Sequence, residues 1–142
     1  MRRSSWDWGD NRMVKLTVEE VRSTKEFQMI KITDKVRVAV EKSGIKNGLV
    51  AVISAHTTTG IMINESLPCV EQDIEEALER LIPRDECYMH AHFLPSYGTT
   101  GGNSPGHLKS MLAGNHCLLP VVDGKMHSGH AQDIYFVEFD GV

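Results

Sequence analysis

The sequence predicts an α+β fold, in one domain with a large mixed, mostly antiparallel sheet and about three covering helices. Three observations lead to this class. Seven or eight segments have strand patterns and mostly follow one another along the chain, whereas three have the 3.6-residue apolar period of a helix. A length of 142 residues suits one core. No repeat or linker divides the chain, so a single domain is expected over 14–142.

The chain is predicted to start with two strands and a helix. Residues 13–21 alternate apolar and polar side chains, and residues 27–32 form a second strand pattern. Either Thr33 or Asp34 can cap the helix that follows, and Gly44 suits its end.

The middle of the chain holds the strongest strand pattern and the clearest helix. Residues 48–55 are apolar on both faces, which is typical of a central strand, and residues 61–63 continue in extended form. Residues 70–82 carry an apolar stripe at helical spacing, and Pro83 ends the helix.

A short strand and a long loop are predicted next. Alternation over residues 87–93 would place Tyr88, His90 and His92 on one face of a strand. Residues 94–103 are rich in Gly, Thr and Ser, too polar for a core and long enough for a functional loop.

The remaining elements are a short helix and three strands, predicted at 106–113, 115–122, 125–127 and 132–139. Ser104 and Pro105 suit the start of the helix. Asp123-Gly124 is typical of a two-residue hairpin turn.

Composition excludes several classes of function. A net charge of -4 disfavours nucleic acid as a partner, which usually needs a basic face, and no apolar run approaches the ~20 residues of a membrane helix. Three cysteines without metal-ligand spacing indicate reduced, buried thiols in a cytoplasmic protein. Residues 1–13 are expected to form a poorly ordered tail, with docking of Trp6 and Trp8 on a neighbouring surface as the alternative.

The polar cluster after the central strand is the first candidate for a site. His56 follows that strand, while His90 and His107 lie at the ends of other predicted elements. Three imidazoles from separate elements can hold an open catalytic metal ion, so a metal or anion site is predicted, with isolated histidines as the alternative. His92 is a possible substitute ligand.

Two acids are candidate catalytic groups. Glu65 could act as a general base or orient a histidine, or it could be a strand-end acid in a salt bridge. Asp73, early in the predicted helix over 70–82, could serve the same site or simply interact with the helix dipole.

Hydroxyl and amide groups in two stretches suit phosphate. Thr57 and Thr58 precede Gly60 in the first stretch, and Ser104 ends the second. Lys109 could add positive charge. Neither stretch has the spacing of a P-loop.

A family resemblance rests on motifs in a fixed order. They are His56-Thr57-Thr58, Asn64-Glu65, Pro68-x-Val70-x-x-Asp73, Tyr88-x-His90, Ser104 to Ser110, Leu119-Pro120-Val121 and Gln132-x-Ile134. Over nearly all of the chain from Val14, this pattern resembles the YjbQ-like family, whose members are described as secondary thiamine-phosphate synthases.

The resemblance implies an α+β subunit that forms a homotrimer. It implies that His56, His90 and His107 face a pocket at a subunit boundary that can bind a divalent metal ion, zinc above all, or magnesium for a pyrophosphate substrate. Asn64, Glu65 and Asp73 would be catalytic, and Gln132 would contact substrate. The implied reaction joins a pyrimidine pyrophosphate to a thiazole phosphate.

The chain departs from the family pattern at three places. Many members have Gly-Thr-Trp-Gln where this chain has Gly129-His130-Ala131-Gln132, so an aromatic pocket wall is absent here. Many have His-Asp where this chain has His90-Ala91, and a shorter, more acidic loop at 95–103. Substrate preference and metal affinity are therefore expected to differ.

Three hypotheses follow. The first is a metal-assisted enzyme acting on a phosphorylated small molecule. The second is a trimeric protein that binds a metal ion or small anion without turnover. The third, a purely structural interaction protein, leaves the polar cluster at His56 unexplained.

Overall fold

The computed structural model of the chain describes residues 14–92 and 101–141. The six strands in these residues are β1 (Gln28–Lys31), β2 (Gly48–Ile53), β3 (Thr59–Asn64), β4 (His116–Val122), β5 (Lys125–Met126) and β6 (Asp133–Glu138). The four α-helices are α1 (Thr33–Ser43), α2 (Pro68–Leu81), α3 (Met89–His92) and α4 (Ser104–Ala113), with a 3₁₀ helix at Gly101–Asn103. The predicted tail at 1–13 and residues 94–100 of the predicted loop lie outside the described residues.

The strands form two antiparallel sheets of three strands each, in the orders β1-β6-β3 and β2-β4-β5. The predicted α+β class is confirmed. A backbone hydrogen bond links the two sheets: the N–H of Ile61 in β3 donates to the carbonyl of Gly114, directly before β4, at 3.0 Å. Two small sheets therefore take the place of the one large sheet that was predicted.

β6 is the central strand and is buried on both faces. Ile134 faces one apolar cluster, while Tyr135 and Val137 face another, and all three side chains are fully buried. The first cluster consists of Ile32, Val36, Val40, Ile61, Leu119, Val121 and Ile134. The second consists of Tyr135, Val137 and Phe139, with Phe27, Met29, Met62, Leu78 and Ala113 packed against it. One strand therefore joins the two parts of the core.

The two longer predicted helices in the first half of the chain are confirmed. α1 ends at Gly44, whose φ of 72° is the left-handed conformation that glycine adopts without strain. α2 begins at Pro68 and places Glu71 beside the core, where its carboxylate accepts a hydrogen bond from the Tyr135 hydroxyl at 2.6 Å. Burial, followed by this carboxylate, raises the pKa of Tyr135.

The strand predicted at 13–21 is wrong. Residues 14–20 have no assigned strand and are exposed, although their apolar and polar side chains alternate as expected. Alternation predicts which face of a strand would be buried, but a strand also needs a partner for its backbone groups. No other described strand of this chain pairs with these residues.

The strand predicted over 87–93 is also wrong. A helical turn forms instead, because the N–H groups of Ala91 and His92 both donate to the carbonyl of Tyr88. The Tyr88 hydroxyl donates to the carbonyl of Pro83 at 2.6 Å and fixes the start of the turn. Since helical residues two apart point in nearly opposite directions, His90 and His92 do not share a face.

α4 packs closely on β3 at Gly60. A Cβ atom at this residue would lie 2.8 Å from the Cβ of Ala113 and 2.9 Å from the carbonyl oxygen of Gly114. The hydroxyl of Ser110 donates to the carbonyl of Thr59 at 2.7 Å, which fixes the helix along the strand. Gly60 is therefore required by the close approach of the helix.

An ion pair joins α4 to α2. The side chain of Lys109 is largely buried and its ammonium group donates to a carboxylate oxygen of Glu79. The hydrogen bond from Lys109 is the main cause that lowers the pKa of Glu79.

None of the helices in 14–92 and 101–141 is long and apolar enough to cross a membrane.

We expect Gly60→Ala to lower the free energy of unfolding by about 2 kcal/mol, because the added methyl group overpacks the contact with α4. Gly48→Ala is the matched control, since its Cβ would meet only Ile45, at an ordinary 3.6 Å. This control should leave stability unchanged or raise it slightly. Urea denaturation of both variants checks the difference, and equal effects would contradict the close-packing account.

We expect Glu79→Gln to cost about 2 kcal/mol, because it leaves the ammonium group of Lys109 buried without its counter-charge. This figure allows for solvent screening, since Glu79 is half-exposed. Glu76→Gln removes an ion pair with Arg80 in which neither side chain is buried, so it should cost under about 0.5 kcal/mol.

The effect of Glu79→Gln should depend on pH. The pKa of Glu79 is lower in the folded chain than in the unfolded chain, so its stabilising contribution is present above the unfolded value of about 4.3. It is lost as the pH falls through the folded value. Denaturation at neutral pH should separate wild type from the variant, and the two curves should converge in acid; a constant difference would contradict the assignment.

Candidate functional site

The turn between β2 and β3 carries the first predicted site residues. His56 and Thr57 are exposed, whereas Thr58 and Thr59 are buried. The Thr59 hydroxyl donates to the carbonyl of His56 at 3.1 Å and also contacts the hydroxyl of the buried Ser54. The hydroxyls therefore fix the backbone of the turn, and the imidazole projects from a rigid base.

The His56 ring is oriented by Thr58. Its Nδ1 lies 2.9 Å from the Thr58 hydroxyl oxygen and 3.4 Å from the Thr58 backbone nitrogen. A backbone N–H can only donate, so these contacts favour Nδ1 as the acceptor and place the proton on Nε2. The Thr58 hydroxyl can also accept, which lets the ring change tautomer and present Nε2 as a metal ligand.

The start of α4 lies against this turn. A Cβ atom at Gly106 would be 3.3 Å from the side chain of Thr58 and 3.3 Å from the carbonyl oxygen of Phe139. The amide of Asn103 donates to the carboxylate of Asp140 at 2.7 Å. These contacts hold the first turn of α4, with Ser104 and His107, next to the end of β6 and the His56 turn.

Two of the three predicted metal ligands are adjacent. The rings of His90 and His107 have centroids 5.6 Å apart and meet edge to face. They lie on the wall of a cavity of about 450 Å³ between α3 and α4. Its lining residues are Tyr88, Met89, His90, Ser104, His107 and Leu108. The structure thus brings the imidazoles of His90 and His107, which are 17 positions apart in the sequence, together with the hydroxyl of Ser104.

The described part of the chain does not assemble a complete metal site. Across residues 14–92 and 101–141, no three His, Cys, Asp or Glu side chains are grouped so that they could hold an ion. His90 and His107 could supply two ligands, so a third would have to come from outside this pair. Metal binding by His56, His90 and His107 stays a prediction.

The remaining phosphate candidates differ in their surroundings. Ser104 is buried at the cavity wall, and Thr57 is exposed on the turn. The hydroxyl of Thr58 already contacts His56, and the ammonium group of Lys109 is paired with Glu79. Phosphate binding by these four residues stays a prediction, and Ser104 is the one of the four that lines the described cavity.

The predicted acids do not join the histidines within one chain. Asn64 is at the far end of the six-residue β3 and Glu65 follows it, so Glu65 is roughly 20 Å along the chain direction from His56. Gln132 is at the same far end, because Asn64 pairs with Asp133. The predicted residues thus divide between the two ends of one sheet.

At the end of the sheet away from His56, the predicted site residues Asn64 and Gln132 make hydrogen bonds to the nearby backbone. The side-chain oxygen of Asn64 accepts from the N–H of Glu65 at 2.8 Å, and that of Gln132 accepts from the N–H of Gly129 at 2.7 Å. Asp73 is exposed on α2 and, two residues from Glu71, points away from the face that contacts β6. Catalytic roles for these residues within this chain would need groups from another copy.

Sequence reasoning missed a thiol–imidazole pair. The Sγ of Cys87 lies 2.8 Å from Nε2 of His92, and both residues are exposed. Buried thiols were predicted, but Cys69 is exposed as well and only Cys117 is half-buried, where burial raises its pKa. The five-residue spacing gave no sequence signal for this pair, because side chains that are neighbours on a helix lie three or four residues apart.

Comparisons with known proteins agree with the fold. Residues 17–142 match the profile of a family described as UPF0047 protein YjbQ-like. A UPF0047 protein of Archaeoglobus fulgidus is 38% identical over 85% of this chain and 88% of its own, and one of Methanothermobacter thermautotrophicus is 36% identical over 85% and 80%. Their names give the family and no reaction.

Solved structures are similar too. A YbjQ-like protein of Sulfolobus solfataricus has a TM-score of 0.78 at 32% identity, over 85% of this chain and 83% of its own. A YjbQ/UPF0047 protein of Clostridium acetobutylicum has a TM-score of 0.76 at 37% identity, over 85% and 88%.

We expect Thr58→Val to raise the share of the Nε2–H tautomer of His56, because it removes the hydroxyl that can accept from Nδ1–H and keeps the backbone N–H, which can only donate. The ¹⁵N shifts of the ring nitrogens report the change. Thr57→Val, at the exposed neighbour, is the control and should leave these shifts unaltered. If Thr58→Val also leaves them unaltered, the orienting role is wrong.

Proposed function

The chain belongs to the UPF0047 YjbQ-like family, and on that premise we propose that the cavity between α3 and α4 binds a divalent metal ion with a phosphorylated small molecule. The protein would act as a transferase. The family membership gives no reaction by itself, so the proposal depends on the chemistry of the cavity wall.

The observation that carries the proposal is the adjacent pair His90 and His107. Two imidazoles 5.6 Å apart on one cavity wall are suited to share an ion, because neutral imidazole is a common ligand of zinc. The apolar side chains of Met89 and Leu108 line the same cavity beside the two imidazoles.

A third ligand is proposed from His56 at a boundary between subunits. The family resemblance implies a homotrimer, and His56 is exposed on a rigid turn beside α4. In such an assembly, Asn64, Glu65, Asp73 and Gln132 of one copy would approach the histidines of another. This arrangement would explain why the predicted site residues are divided within one chain.

The chain's own groups suit a phosphorylated ligand. The hydroxyls of Ser104, at the cavity wall, and of Thr57, on the exposed turn, can donate to phosphate oxygens. When bound, zinc, or magnesium with a pyrophosphate substrate, would neutralise the negative charge on a leaving pyrophosphate. A protonated Glu65 or Asp73 of a second copy would donate its proton to the oxygen of the leaving pyrophosphate.

The specific reaction proposed is thiamine-phosphate synthesis. A pyrimidine pyrophosphate would react with a thiazole phosphate and release pyrophosphate. Cytoplasmic location is part of the proposal, and three free cysteines are compatible with it.

A second candidate is a trimeric protein that binds a metal ion or small anion without turnover. One observation favours it: none of the six residues that line the described cavity is a carboxylate or a thiol. A cavity with imidazoles but no acid can bind an ion without supplying a general base of carboxylate type.

We expect His90→Ala and His107→Ala each to weaken zinc binding at least tenfold, because each removes one imidazole of the pair. His56→Ala should do the same if the ion is shared between subunits. His116→Ala is the control, since its ring contacts Asn115 at the start of β4. Metal analysis and zinc titration of the full chain check this, and unchanged binding in the three variants would contradict the proposal.

Turnover separates the two candidates. The full chain with zinc or magnesium should form thiamine phosphate from the two phosphorylated precursors, and the His90 and His107 variants should lose that activity. Metal binding without turnover of these precursors would favour the binding protein.

A further inference from the structure

The N-terminal segment at 14–18 has alternating apolar residues and pairs with no strand of the described chain. Val14, Leu16 and Val18 are 83%, 88% and 84% exposed. They alternate with the polar residues Lys15 and Thr17, so they would share one face of an extended strand. Such exposure of three alternating aliphatic side chains is typical of a surface that another molecule covers.

The base of this segment, which we term the arm, is attached to α1. The ammonium group of Lys35 lies 3.8 Å from a carboxylate oxygen of Glu19 and donates to the carbonyl of Glu20 at 3.4 Å. The arm therefore leaves the body from a defined point. Five extended residues span about 16 Å, close to the length of β2.

β2 is an edge strand without the usual protection. It pairs with β4 on one side, and no other described strand pairs with its second side. Edge strands normally carry charged residues, proline or a bulge that prevents pairing with another chain. The sequence of β2, Gly-Leu-Val-Ala-Val-Ile, has no charged residue and no proline.

The outer face of the β2-β4 sheet is apolar as well. Leu49 and Ile53 are 69% and 66% exposed on β2, and Leu118 and Val122 are exposed on β4. In the register of the two strands, Ala51 lies opposite Leu118 and completes a continuous patch. An unprotected edge and an apolar face on the same strand indicate that both are covered together.

The exposed apolar side chains of the arm and the sheet face supply more than half of the area of a stable interface. At roughly 100 Å² for a fully exposed aliphatic side chain, the three apolar arm residues and the four exposed face residues offer roughly 500 Å² per copy. A stable interface buries about 800 Å² on each partner, and the backbone of a paired arm would add to the side-chain area.

We propose that the arm of one copy of this chain adds as an antiparallel or parallel strand to the free edge of β2 in a second copy. Val14, Leu16 and Val18 then extend the patch formed by Leu49 and Ile53. The rest of the copy that supplies the arm is attached to the arm through Lys35 and lies over the widened patch. This deepens the self-association in the proposed function and is independent of the chemistry at the histidines.

Leu16→Glu in the arm and Ile53→Glu on the face test the proposal by light scattering on the full chain. Both positions are exposed in a single chain, so both variants should fold, which circular dichroism checks. Each should fall from the wild-type mass to that of one chain, 15.9 kDa. Thr17→Glu places the same charge on the other side of the arm and should keep the wild-type mass.

Hydrogen exchange tests the backbone pairing. The amides of 14–18 should exchange at least tenfold more slowly in the wild-type oligomer than in Leu16→Glu. A monomeric wild type, a Leu16→Glu variant of wild-type mass, or dissociation by Thr17→Glu would each overturn the proposal. So would unprotected arm amides in the oligomer. Molecular mass and hydrogen exchange test the pairing of the arm, whereas zinc content tests the proposed metal site. The arm proposal and the proposed function can therefore fail separately.

Discussion

The fold depends on β6, the strand that is buried on both faces. Ile134 contributes to the cluster under α1, and Tyr135 and Val137 to the cluster under α2 and α4. Pairing with β1 on one side and β3 on the other leaves this strand no exposed edge. Because both parts of the core share one strand, a change in its register would exchange the side chains of the two clusters.

This strand also determines where the candidate site can form. Its last residues pair with the start of β3, and the N–H of Phe139 donates to the carbonyl of Thr58 at 3.1 Å. The His56 turn and the first turn of α4 are therefore attached to the same end of the sheet. At the other end, the pairing of Asn64 with Asp133 fixes the predicted acid and amide residues. One extended strand separates the two groups, which is why a complete site needs either a ligand that spans them or a second copy.

Much of the architecture was accessible from the sequence because its signals are local. The end of α1 at Gly44, the Asp123-Gly124 hairpin turn and the end of α2 before Pro83 each depend on the conformational preference of a few neighbouring residues. The prediction failed where the local signal was ambiguous. Tyr88 to His92 alternate like a strand, but hydrogen bonds to the carbonyl of Tyr88 make a helical turn, and this changed which histidine faces the cavity.

The sequence by itself determined the α+β class, the order of most elements and the residue types available for a site. His56, His90 and His107 were recognisable from their places beside element ends. Only the tertiary structure decided that His90 and His107 meet, that Lys109 is paired with Glu79, and that Glu65 is remote from His56. The physical reason is that residue preferences act over a few positions, whereas contacts between side chains depend on how helices and strands pack against one another.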